Sequence, residues 1–254
     1  MSNFDRSAAA RNAAGIARSG AGVDQGLRAH MLGVYNYMAL GLGVTGVIAY
    51  AAFKLGTVEL ADGHLALNGL GQALYASPLR WLFALAPLGI VMYLSARINS
   101  MSVASARNAF FVFAAAMGLS MSAIFVIYAT GSVGRVFFMT AAAFGALSLV
   151  GYTTKRDLSA VGSFMIMGLF GLIIAGVVNL FLQSNGMQWA LSVLSIVIFA
   201  GLTAWNTQSI KNQYYAGYGE EARQKASIFG ALSLYLDFIN IFQALLMLTG
   251  GRRN

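Results

Sequence analysis

Cysteine is absent from this 254-residue chain, and there are only two prolines and two histidines. Without thiols there can be no disulfides, no thiol catalysis and no cysteine-ligated metal. His30 and His64 lie far apart and outside the apolar runs. Each reads as a solvated or interfacial side chain, and no metal site or cofactor is expected. Charge is also scarce, at 9% of residues, where a soluble domain usually carries about a quarter. A soluble protein built this way would lack the polar material to cover its surface. What fills the sequence instead is apolar: 58% of residues are hydrophobic and 29 are glycine. Glycine is common where membrane helices pack closely. The composition is that of an all-α, polytopic membrane protein.

Seven segments are long enough to cross a bilayer, which takes about 20 apolar residues. They are read as 31–53, 79–98, 109–130, 136–152, 161–182, 187–205 and 228–248. The fourth is short and can extend back past Arg135, whose long side chain can snorkel to the interface. The expected organisation is therefore a flexible cytoplasmic tail, residues 1–30, followed by one seven-helix domain, residues 31–250.

The net charge of +8 resembles a nucleic-acid signal until the basic residues are located. They sit in the tail and beside the spans, so lipid headgroups account for them and no nucleic-acid partner is expected. With the N-terminus in the cytoplasm, eleven of the 16 basic residues fall inside and five outside: Lys54, Arg80, Arg135, Arg252 and Arg253. This is the positive-inside bias. Arg252 and Arg253 run against it, and a re-entrant last segment is the alternative. The tail carries no persuasive import signal, which favours a bacterial cytoplasmic membrane over a eukaryotic organelle.

Asp237, within SLYLDFINIF, is the one acid inside any of these segments. An ionised carboxylate there costs roughly 2.5–3.5 kcal/mol on insertion scales. The cost falls if the group is neutral, or if it faces water, a cation or hydrogen-bond donors. At about 100° per residue, Gly230, Ser233, Asn240 and Ala244 share its side of the helix, opposite the bulkier Leu232, Leu234, Phe238 and Phe242. That small, polar stripe points to an ion-facing or gating acid supported by Ser233 and Asn240; a structural pin between helices is the plain alternative. Asn206, in LTAWNTQSIKN, and Asn179, in the fifth span, are further polar candidates. For Asn179 a purely structural hydrogen bond is favoured. Arg97, in YLSARINSMS, is either a solvated anchor or the cytoplasmic half of a charged gate.

Five stretches together carry a resemblance: YNYMALGLGVTGVIAY, LSARINSMS, GYTTKRDLSAVGSFMIMGLFGLIIAGVVNLF, WNTQSIKN and LYLDFINIF. In this order and spacing they resemble the Bax inhibitor-1, or transmembrane Bax inhibitor motif, family over about residues 28–250. The resemblance implies six helices around a central, acid-bearing seventh. It also implies a pH-sensitive calcium leak, with cell-death suppression in eukaryotic members and binding to a membrane-bound AAA-type protease in some bacterial ones. In the family pattern two aspartates on the sixth and seventh helices share a proton and close the pore. Asp237 matches the seventh-helix position, whereas the sixth-helix position falls at Asn206. Two carboxylates in one site titrate as a pair; an amide and an acid cannot. Arg97 matches the family arginine, but the second-span acid that pairs with it is missing around Ala86 and Pro87.

The resulting expectation is a passive cation leak, calcium being the expected ion, with Asp237 and Asn206 in the ion path and altered pH gating. An acid locked on an interhelical donor, with no route to solvent, would count against permeation. The alternative is a regulator without transport that binds a membrane-bound quality-control protease through its tail and inner loops. Enzymatic function is not expected: aspartyl chemistry needs a carboxylate pair, and no histidine lies in a span to activate a serine.

Overall fold

The computed structural model describes residues 3–60, 64–98, 100–214 and 219–253, with side chains from residue 25 onward. The chain is helical apart from one small hairpin. Helix α1 (Asn3–Gly56) leads into strands β1 (Thr57–Glu59) and β2 (Leu65–Leu67), a short α2 (Gly69–Gly71) and a π-helical turn at Gln72–Ala76. Then follow α3 (Leu79–Arg97), α4 (Val103–Met121), α5 (Ala123–Ile127), α6 (Thr130–Thr153), α7 (Ser159–Leu182), α8 (Asn185–Gln213) and α9 (Glu220–Thr249). Seven helical stretches are long and apolar enough to cross a membrane, α4 and α5 counting together as Val103–Ile127. All seven expected crossings are present, and the fourth does reach back past Arg135 to Thr130.

The backbone of residues 3–30 continues α1; the run is rich in alanine and arginine, good helix formers, and holds no proline. The long connection after α1 is not irregular throughout. It pairs Thr57 with Leu67 and Glu59 with Leu65 in an antiparallel hairpin.

Local chemistry sets the helix ends. Pro78 stands at the start of α3, where its missing N–H removes no helical bond. Ser102 caps α4 and Ser184 caps α8, each hydroxyl accepting from an N–H three residues on. Gln183 closes α7 in the left-handed region at φ 49°. Asp157 opens the turn before α7, accepting from the Ser159 N–H at 2.9 Å and its hydroxyl at 2.7 Å. Those two bonds hold the Asp157 carboxyl below its ordinary value.

Helix α9 forms the centre of the bundle. Over its most apolar window 61% of residues are buried, against 33% or less in every other span. Its main packing partners are α1, α4, α6 and α8, while α3 leans on α4 and α7 on α8. The last helix is thus surrounded, with two of the six others in an outer row. Helix α7 turns Phe164, Phe170 and Phe181 outward, a surface only lipid can cover. At Gly151 of α6 an added Cβ would lie 2.1 Å from the Ala204 carbonyl oxygen of α8, so that crossing requires glycine.

The chain's last residues are tied to the α5–α6 junction. Arg253 N–H donates to Ile127 O at 2.9 Å, Ala129 N–H to Gly251 O at 3.0 Å, and Gly251 N–H to Ser132 Oγ at 2.8 Å. Helix α9 is one unbroken helix, about 45 Å for its 30 residues. At the other end, His30 is not solvated as expected. It is buried, its Nδ1 3.0 Å from Ser227 Oγ and its ring against Tyr214.

Candidate functional site: an amide–acid contact between the last two spans

The aspartate sits where α8 and α9 pack. Asp237 is 3% exposed, and Asn206 Nδ2 of α8 donates to its Oδ2 at 2.8 Å. This is its one side-chain hydrogen bond among the described residues, and no cationic side chain pairs with it there. The two ion pairs found, Glu220 with Arg223 and Glu221 with Lys225, lie at the start of α9. The sequence's two principal candidates therefore meet directly.

Helix α8 can offer that amide because its neighbours are anchored. Thr207 donates to Thr203 O at 2.8 Å and lies 3.0 Å from Ser148 Oγ of α6, which also bonds the Tyr35 hydroxyl of α1. Gln208 donates to Arg156 O and accepts from Leu158 N, both at 2.8 Å, while Lys211 donates to Tyr152 O at 2.7 Å. The WNTQSIK stretch thus fixes the α6–α7 connection with one face and holds Asp237 with the other. Tyr35, Ser148 and Gln208 were not singled out in the sequence. Being uncharged, they carry no signal of their own until the helices are assembled.

Rings fill the bundle beside the acid. Phe238 packs against Phe137 at 5.4 Å and Phe144 at 5.7 Å. Tyr235 packs against Phe113 at 5.4 Å, and its hydroxyl bonds Thr45 Oγ1 at 2.6 Å, which donates to Ala114 O. Leu234, three residues before Asp237, shares its side of the helix, and the residues of the polar stripe and of the bulky set are all buried or half-buried, so both meet neighbouring helices.

A cavity of about 670 Å³ lies at the end where α9 begins; its lining includes Ser95 of α3, Ile98 just beyond it, Gln213 of α8, and Glu221, Lys225 and Phe229 of α9. Phe229 lies eight residues before Asp237, about 12 Å along the helix. Ser233, half-buried, stands midway on the same stripe and donates to Phe229 O at 3.2 Å. Asn240 lies beyond, donating to Leu236 O at 2.8 Å. Both amide and hydroxyl bond their own helix rather than Asp237. Arg97 is exposed at the end of α3, beside two residues that line the cavity, and away from Asp237. Asn179 is not brought to the site: its Oδ1 accepts from Ser184 N at 3.1 Å and closes the α7–α8 turn. Among the described residues no cluster of acids and histidines could hold a metal.

The family model described as Inhibitor of apoptosis-promoting Bax1 matches residues 27–254. The chain belongs to the Bax inhibitor-1 family. Relatives of similar length align along most of it. An uncharacterized protein of Rickettsia prowazekii is 44% identical over 232 residues, 91% of this chain and 93% of that one. The inner membrane protein YbhL of Escherichia coli K12 is 40% identical over 235 residues, 90% of this chain and 94% of its own. A protein of Caulobacter vibrioides is 42% identical over 237 residues, 93% of this chain and 94% of the relative. Membership agrees with the arrangement seen here, a polytopic helical bundle with the acid-bearing last helix at its centre.

Proposed function

We propose that this member of the family is a gated passive cation pathway of the bacterial cytoplasmic membrane, with calcium as its ion and the Asn206–Asp237 contact as its closed gate. The placement of Asp237 carries this reading. A buried acid kept for structure is ordinarily paired with a cation; this one is held by a single neutral amide across two helices. Such a contact can be exchanged for water or an ion when α8 and α9 shift. The cavity that Phe229 helps to line would give an approach from one side, Ser233 stands between Phe229 and Asp237 along α9, and Arg97 adjoins two lining residues in sequence as a charge that passing cations would meet. One carboxylate with amide and hydroxyl oxygens makes a weak calcium site, and weak binding suits passage. The cytoplasmic membrane fits the bias of basic residues and the name of the Escherichia coli relative.

The test is calcium entry into dye-loaded liposomes between pH 6 and 8, with wild type, Asp237→Asn and Asp237→Ala. Flux above that of empty vesicles, altered by both substitutions, supports the gate. Equal flux in all three proteins and in empty vesicles removes it.

A second reading rests on the same contact. With rings on its flanks and the Asn206 amide bonded to it, Asp237 would act as a pin, and the protein would then regulate a membrane-bound AAA-type quality-control protease without transporting anything. In that case Asp237→Asn, which keeps an amide able to bond Asn206, leaves regulation intact.

A further inference from the structure

A second cavity, of about 740 Å³, lies between α1, α6 and α9 on the side of α9 away from Asp237. Its walls include Gly43, Gly46, Gly134, Ala141 and Phe242, within the spanning helices. A Cβ added at Gly43, Gly46 or Gly134 would meet nothing within 4 Å, so these glycines are not where the chain's own helices approach. Val47, also in the wall, is 70% exposed, and the cleft opens sideways to the lipid.

One end of this cleft is cationic. Thr130 lines it and accepts a hydrogen bond from Arg253 Nη2 at 3.1 Å. The Arg253 guanidinium lies 5.3 Å from the centre of the Phe53 ring, and Lys54 Nζ lies 6.0 Å from the same ring. No acid pairs with either among the described residues. Arg253 Nε is the one buried side-chain nitrogen or oxygen there without a hydrogen-bond partner. The tail bonds to Ile127, Ala129 and Ser132 hold this arginine in place. Helix α6 begins at the same point, with no acid in its first turn and no side-chain cap, leaving N–H groups that favour an anion.

We infer that this cleft binds an anionic phospholipid from the leaflet at the Arg253 end, an acyl chain lying along α1 and α6 and the phosphate beside Arg253 and Lys54. Charge complementarity selects the headgroup and the apolar cleft selects the tail; Thr130 joins the two parts. The site explains why basic residues gather at the end of the bundle where the positive-inside bias disfavours them. It is independent of ion flux.

The test uses the full-length chain, purified in detergent and stripped of lipid, titrated with dioleoyl phosphatidylglycerol, dioleoyl phosphatidylcholine or glycerol phosphate. Thermal unfolding and the lipid retained, by mass spectrometry, are the readouts. Phosphatidylglycerol should be retained and raise Tm; the other two should not. Arg253→Gln and Lys54→Gln should each weaken retention roughly five-fold. Gly46→Leu should block the cleft, whereas Gly171→Leu on the exposed face of α7 should not. Lys54→Gln alters an exposed side chain rather than helix packing, so it remains informative if Gly46→Leu does not fold. Equal retention of phosphatidylcholine, the same Tm shift with glycerol phosphate, or full retention by both charge variants would overturn the site.

Discussion

Asn206 and Asp237, 31 residues apart in sequence, are joined at 2.8 Å across α8 and α9. Replacing Asn206 with leucine leaves a buried carboxyl without its donor. The penalty for such a group is about 1–3 kcal/mol, while interhelical bonds inside membranes average about 0.6 kcal/mol. A loss within that range is expected in detergent unfolding, together with raised calcium flux if the contact is a gate. Lower stability with unchanged flux would identify it as a pin.

Asn206→Asp tests whether the pairing of acid with amide sets the pH response. Two carboxylates at this distance titrate as a coupled pair, so flux should gain a steep pH dependence absent from wild type. Liposome flux at half-unit steps from pH 5.5 to 8 measures it. Parallel pH profiles would show that this position does not control gating.

Tyr235→Phe removes the hydroxyl that meets Thr45 at 2.6 Å, but Thr45 still donates to Ala114 O. The expected cost is small, about 0.5–1.5 kcal/mol. Tyr235→Ala also empties space in the centre of the bundle, for which loss of an aromatic costs about 3–5 kcal/mol. Unfolding of the two variants side by side should separate these terms, and equal losses would contradict the packing role of the ring.

Gly151→Ala should lower stability by about 1–3 kcal/mol, because the new methyl meets the Ala204 carbonyl oxygen rather than a movable side chain. Gly171→Ala, with open space around it, is the control. Because Ala204 lies two residues before Asn206, calcium flux in the Gly151 variant also tests whether displacing α8 disturbs the amide–acid contact.

Deletion of residues 1–25 separates the two proposed functions. A cation pathway should keep its liposome flux without them, whereas a regulator acting through its tail should lose control of its protease. Flux and proteolysis assays on the same truncated protein give opposite expectations.

The number and approximate position of the spans were legible because each needs only a long apolar run, and bilayer thickness sets that length. Asp237 was legible for the converse reason: a lone acid in such a run is costly wherever it points. Asn206 was legible as a polar residue ending the sixth span, with an amide able to donate to Asp237, and the structure brings the two together. The clasp at His30 was missed because it joins residues 197 apart in sequence; the hairpin after α1 was missed because its two strands are only three residues each and leave little alternating pattern to read. Amphipathicity was also misleading in part, because a central helix is buried on every side and its polar stripe faces a neighbour.

The sequence by itself thus determined a seven-span membrane protein with one intramembrane acid, through composition and run length alone. Tertiary structure decided that the acid meets an amide on α8, that aromatic rings pack beside it, and that Arg253 stands at the mouth of an apolar cleft. Those outcomes depend on distances between helices, which close side-chain packing fixes and no single segment encodes.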